Sequence, residues 1–276
     1  MNRYLSTAAL AVALSAAPAL AQDAASPQAA ADAFVAKTEA DLARAGIESG
    51  QASWVYQTYI NQDSEAVASR ADAAYGALQV KSAIAAAGHA ATTGLSYDTA
   101  RKLSRLRTAI TLPATTAPGA AAELSALNAK LQGVYGKGKG TLRGQPINGS
   151  DIEAEMGTNR NPDELKEMWL SWHDNVGKPM KDDYARLVEQ GNAGARELGY
   201  ADVGALWRSN YDMTPAQFEA ETEKLWQEVK PLYLALHTYV RGKLNQKYGD
   251  QVQPKTGPIR ADLLGNMWAQ EWGNIY

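Results

Sequence analysis

The chain contains no cysteine, and its 276 residues include only three histidines and two phenylalanines. Without cysteine there is no disulfide and no thiolate for catalysis or metal binding, so stability must come from core packing. The histidines, His89, His173 and His237, lie far apart, and none has a second histidine four residues on. A zinc protease needs two imidazoles on one helical face with a glutamate beside them, H-E-x-x-H, and that motif is missing. There is no long basic run, and a formal net charge of −3 with a pI near 5.7 lacks the electrostatic footprint of a nucleic-acid binder. No G-x-S-x-G elbow marks a nucleophilic serine. Paired carboxylates such as Asp182-Asp183 and Glu219-Glu221 read as solvated helix faces. From composition and spacing, no catalytic residue and no metal ligand can be named.

What is present begins with a targeting segment. MNRYLSTAALAVALSAAPALAQ places Arg3 before an apolar stretch from Leu5 to Ala17, followed by Ala19-Leu20-Ala21. That order is a secretory signal peptide over residues 1–21, with cleavage after Ala21. The apolar run is shorter than the ~20 residues a spanning helix needs, and no later segment is apolar enough. The mature chain is therefore expected to be exported, periplasmic or extracellular, with no membrane association after cleavage. The alanine-rich signal is of bacterial type, which gives the Asn148-Gly149-Ser150 triplet little weight as a glycosylation acceptor.

The remainder reads as helix. Alanine, leucine, glutamate, lysine and arginine dominate, and neither strand alternation nor a repeat period runs along the chain. Ser26-Pro27 opens a first helix, with a stop expected at Gly46. A second is predicted over Asp63–Ala87, ending at Gly88, and Leu103, Leu106 and Ile110 mark a third. Residues 111–120 form a proline-punctuated connector. Residues 133–150, with six glycines and a proline, form a loop or hairpin. Asn161-Pro162 caps a helix carrying Leu165, Met168, Trp169 and Trp172, expected to break near Gly177 and Pro179. The next helix stops at Gly199. Thr214-Pro215-Ala216-Gln217 is a capping box. It opens a long helix with Phe218, Leu225, Val229, Leu232, Leu236, Tyr239 and Leu244 on one stripe, expected to kink at Pro231.

The glycine-rich stretch tempts a phosphate-binding reading. Gly133 and Gly138-Lys139 have P-loop spacing, but Gly140 stands where serine or threonine must bind magnesium, and no apolar strand precedes it. A surface hairpin is the better reading.

A more specific signal lies at the end of the chain. GPIRADLLGNMWAQEWGNIY (257–276) resembles a signature of the angiotensin-converting-enzyme family of zinc peptidyl-dipeptidases. ALWRSNYD (205–212), PLYLALHTYVRGKLNQKYG (231–249) and EMWLSWHDNVGKPM (167–180) are similar to further blocks of that family, in the same order. The resemblance implies an all-α fold, part of a large two-lobed ellipsoid with a central cleft. It also implies removal of dipeptides from the free C-terminus of oligopeptides. Zinc, and possibly chloride, are the implied cofactors. In that family the zinc motif follows the block on which this sequence stops, so zinc ligands are expected beyond residue 276 and no catalytic residue or metal ligand within the chain.

By the same resemblance, Gln270 matches a glutamine that helps hold the substrate's C-terminal carboxylate, and Tyr211 matches a chloride-site tyrosine. Trp172-His173 stands where chloride-responsive animal members have Trp-Arg, and Glu271 where they carry a small hydroxyl residue. Both departures weaken the corresponding sites. Residues 22–276 are accordingly expected to be the N-terminal portion of a peptidyl-dipeptidase domain that stops inside a helix, before the zinc motif. The alternative is a non-catalytic exported helical interaction module derived from the enzyme.

Overall fold

The computed structural model describes residues 26–273; the predicted export segment lies outside them. Among the described residues the chain forms nine α-helices and one two-stranded hairpin. The architecture is all-α, as expected.

Helix α1 (Pro27–Thr58) is capped by the Ser26 hydroxyl, which accepts from Ala29 N–H. It does not stop at Gly46. A single glycine costs a helix about 1 kcal/mol relative to alanine, too little to end a segment whose buried residues, from Ala31 to Tyr56, continue on both sides of it. Helix α2 (Gln62–Ala87) starts from a reciprocal capping box between Asn61 and Ser64 and ends at Gly88. Helix α3 is Tyr97–Thr108. These helices meet through small side chains. Ala31, Val35, Ala86 and Leu103 form one cluster, and Tyr56 and Ala68 form another with Ala129.

Ala129 belongs to α4 (Ala120–Gly136), a helix the sequence reading did not assign. It buries Leu124, Leu127 and Leu131, at helical spacing, and lies against α2. It also runs through two glycines of the supposed loop. At Gly136 a Cβ would come within 2.4 Å of Ile60 Cδ1, so glycine there permits the approach of α4 to the end of α1.

The rest of the glycine-rich stretch is the expected hairpin. Strands β1 (Lys139–Leu142) and β2 (Gln145–Asn148) pair antiparallel, Lys139 opposite Asn148 and Leu142 opposite Gln145. Arg143 and Gly144 both have positive φ, 52° and 72°, as a two-residue type I′ turn requires. The Glu167 carboxylate accepts from both turn N–H groups at 2.9 Å. Glu164 pairs with the Arg143 guanidinium at 2.9 and 3.0 Å.

Helices α5 (Gly149–Thr158) and α6 (Pro162–Trp172) follow, capped by Asn148 and Asn161. The break expected near Gly177 and Pro179 is instead one π turn, His173–Gly177, leading directly into α7 (Lys178–Glu197). Proline lacks an N–H and collides with the carbonyl four residues back; the wider π turn moves that carbonyl away and lets the helix continue. Helix α8 is Val203–Arg208. Helix α9 (Pro215–Tyr248) begins at the predicted capping box and is uninterrupted across Pro231.

The main core gathers around α6. Ile152 and Met156 of α5, Leu165, Met168 and Trp172 of α6, Val176, and Val240 and Leu244 of α9 pack together with Leu263, Leu264 and Met267. The sequence was expected to stop inside a helix, but among the described residues none forms after Leu264. A 3₁₀ turn at Ala261–Leu263 gives way to irregular backbone through Gly273, with left-handed residues at Gly265 (φ 79°) and Ala269 (φ 56°). Among the described residues no helix is long and apolar enough to cross a membrane.

Candidate substrate-carboxylate site

Gln270 lies in the irregular segment that leaves the main core, and the site is best built from that core outward. At the foot of the segment is a buried polar web. Asn245, near the end of α9, donates to the Asp250 carboxylate and to Gln253 O, both at 2.7 Å. Gln253 is fully buried; its amide donates to Pro254 O and Pro258 O, and its Oε1 accepts from Arg260 N–H at 2.9 Å. Arg260 then grips Asp262 with two N–H groups, at 3.1 and 2.5 Å, and reaches Pro162 O on α6 at 3.1 Å. The Asp262 carboxylate holds the Arg260 guanidinium above its ordinary pKa, mainly by hydrogen bonding. Each buried polar atom of this web finds a partner, which is what makes such burial tolerable.

Leu263, Leu264 and Met267 anchor the next residues in apolar surroundings. Asn266 between them is also buried, 2 % exposed. Its side-chain oxygen accepts from Trp268 N–H at 3.0 Å and from Gln270 N–H at 3.5 Å. A side-chain acceptor thus replaces the helical carbonyls these amides would otherwise use, which is why the apolar run does not continue as helix. Beyond it Trp268, Gln270 and Glu271 are exposed. Burial, then the Glu153 charge, raises the pKa of the Tyr135 phenol on α4, an effect the Trp268 side chain opposes.

Gln270 therefore sits on a polar-framed loop and presents a neutral amide to solvent. An amide donor facing an ionised acceptor makes a stronger hydrogen bond than a neutral pair does. Sequence reasoning singled out Gln270 through the resemblance but missed Asn245, Gln253 and Asn266. The Gly265-Asn266 pair is a turn signal, which the surrounding leucine, methionine and tryptophan masked.

Tyr211 belongs to a different frame. It lies exposed on the connection between α8 and α9, its ring centroid 4.3 Å from that of Phe218. Two arginines on one face of α3 hold this connection. Arg101 forks onto both Asp212 oxygens, one at 3.0 Å, while Arg105 donates to the carbonyl and side-chain oxygens of Asn210. Arg101 lowers the Asp212 pKa, chiefly by hydrogen bonding. The cationic charge beside Tyr211 is thus shared with a carboxylate.

The histidines are engaged locally. His89 stacks on Phe34, and the His237 ring lies 6.0 Å from that of Tyr233. His173 stacks on Trp169 at 4.0 Å and places Nδ1 2.7 Å from Trp169 O. Among the described residues no group of three or more histidine, aspartate or glutamate side chains could hold a metal ion. The described residues do not fit a zinc centre, and no catalytic step is assigned through one.

Fold and loop together define an all-helical protein with an amide-bearing segment seated on its largest core. The chain belongs to the angiotensin-converting enzyme family, whose model matches residues 25–276. It is 48 % identical to the angiotensin-converting enzyme of Bos taurus over 126 residues, 46 % of this chain and 10 % of that protein. Against the enzyme of Oryctolagus cuniculus it is again 48 % identical over 126 residues, with the same coverage. Against that of Theromyzon tessulatum it is 40 % identical over 159 residues, 55 % of this chain and 26 % of that protein. The matched stretches thus span from a tenth to about a quarter of these relatives.

Proposed function

We propose that the protein works as an exported zinc metallopeptidase that releases dipeptides from the free C-terminus of oligopeptides. Residues 1–21 are its signal peptide, and residues 22–276 are the N-terminal portion of a two-lobed catalytic domain with a central cleft. The family match over residues 25–276 carries this reading. In it, Gln270 contributes an amide hydrogen bond to the substrate carboxylate, Tyr211 belongs to a chloride site, and the zinc ligands follow residue 276. These residues supply binding and cleft wall rather than the hydrolytic step.

The test is to read the gene past the codon for Tyr276, then assay the whole product and residues 22–276 alone on blocked oligopeptides. A frame continuing into H-E-x-x-H and a later glutamate, with chelator-sensitive dipeptide release by the whole product and none by 22–276, is the expected result. Zinc-dependent release by residues 22–276 alone would overturn the division of labour.

The exposed apolar residues of α9, among them Leu225, Val229 and Leu232, favour a second reading, an exported helical interaction module without catalysis. A stop codon directly after Tyr276 would select it, since no hydrolysis by this mechanism would then be available.

A further inference from the structure

We propose that Asn266 is a positioning residue, setting the placement of Gln270 for the substrate carboxylate; this rests on the peptidyl-dipeptidase reading above. Gln270 is not in a helix, so no i→i−4 ladder fixes its backbone. Its N–H and that of Trp268 converge instead on one atom, Asn266 Oδ1, at 3.5 and 3.0 Å. The backbone of Asn266 adds two contacts: its N–H donates to Leu264 O at 3.0 Å and its carbonyl accepts from Ala269 N–H at 3.3 Å.

Asn266 is nearly inaccessible, flanked by Leu264 and Met267 in the main core, whereas Gln270 four residues on is exposed. The rigid core is thus transmitted to an exposed amide through a single buried side chain. Between them Ala269 has φ 56°, a conformation that L-residues other than asparagine and aspartate seldom adopt without outside support. The Asn266 bonds on either side of Ala269 supply that support.

Loss of the acceptor should leave the core packed while Gln270 becomes free to sample other directions. An amide that is no longer pre-oriented loses binding to the carboxylate rather than catalytic power. Serine can reproduce the same local bonds to following N–H groups, if more weakly. Leucine has the same branching, with bulkier methyl groups and without any acceptor.

The experiment uses the whole gene product with zinc and compares a free-acid oligopeptide with the same peptide carrying a C-terminal amide. Asn266→Leu should raise KM for the free acid by roughly tenfold, the scale of one hydrogen bond to a charged group. The turnover number and all kinetics on the amide should change little. Asn266→Ser should restore most of the free-acid preference. Adding Asn266→Leu to Gln270→Ala should cost nothing further, because both remove one interaction.

Equal losses on both peptides in Asn266→Leu, with no rescue by serine, would show a structural role only and overturn the proposal. If Asn266→Leu does not fold, Asn266→Ala read against Asn266→Ser decides by the same ratio. If Gln270→Ala leaves the preference intact, the assignment of Gln270 falls and the proposal with it. If the wild-type product releases no dipeptides, the functional reading itself falls. A drop in preference in Gln270→Ala but not in the Asn266 variants rejects the positioning role alone.

Discussion

Helix α9 buries Val240 and Leu244 in the main core, while Leu225, Val229, Leu232 and Leu236 on the same helix remain exposed. The apolar spacing is similar in both parts. Near its C-terminal end, Val240 and Leu244 share the main core with side chains of α5, α6 and the 263–267 segment. Toward the N-terminus the described residues supply no comparable layer, and Leu232 is 73 % exposed. Helical spacing therefore reports which side chains share a face, but burial needs a second element. A fully buried leucine contributes about 1.5–3 kcal/mol relative to an exposed one, and only one end of α9 gains it here.

The largest expected effect contrasts those environments. Leu244→Ala, at a fully buried site where α9 enters the main core, should cost about 2–5 kcal/mol, whereas Leu232→Ala should change stability by less than roughly 0.5 kcal/mol. Urea denaturation of the 276-residue chain measures both; similar losses would mean that the two parts of α9 are equally covered.

A glycine pair sharpens the same contrast. In α7, a Cβ at Gly194 would lie 2.1 Å from the Pro113 carbonyl oxygen, so Gly194→Ala should destabilise by about 1–3 kcal/mol or more. In α9, nothing lies within 4 Å of a Cβ at Gly242, so Gly242→Ala should stabilise by about 0.5–1 kcal/mol through helix propensity. Opposite shifts in thermal midpoint would confirm that α7 is constrained at Gly194, where its neighbour approaches, and that α9 is open on the face of Gly242.

Next in size, Thr214→Ala removes the hydroxyl that accepts from Gln217 N–H and should cost about 1 kcal/mol, seen first as faster amide exchange in the first turn of α9. The smallest effect concerns pH. The Arg143 guanidinium, then the Asn159 amide, lowers the Glu164 pKa from 4.5 to about 2. A folded pKa below the unfolded one gives stability that is present above pH 4.5 and is lost as the pH falls toward 2. Glu164→Gln should flatten that part of the stability–pH curve, and an unchanged slope would show that the ion pair tying the hairpin to α6 contributes nothing.

Much of the fold was legible because helix ends are local chemistry. Ser26-Pro27, Asn161-Pro162 and Thr214 through Gln217 each satisfy orphan N–H groups within a few residues, so the sequence alone places these starts. The hairpin was legible from its glycines, although Gly133 and Gly136 proved to belong to α4. Gly46 and Pro179 misled because breakers act against a local preference of a few kcal/mol, which packing on both sides can exceed. Gln270 was legible only through the family resemblance. Nothing in its own neighbourhood marks it, and its support, Asn266, was hidden in an apolar run.

The amino-acid sequence by itself determined that this protein is helical, where α1, α2, α6 and α9 start, that it has no disulfide, and which family it resembles. These follow from caps, composition and colinear motifs, all short-range or additive properties of the chain. Only the tertiary structure decided that residues 264–273 run as irregular backbone out of the core, that Asn266 holds the Gln270 backbone, and that α9 is covered at one end. Those outcomes depend on which distant side chains meet, and a buried polar atom takes whichever partner the packing brings within reach.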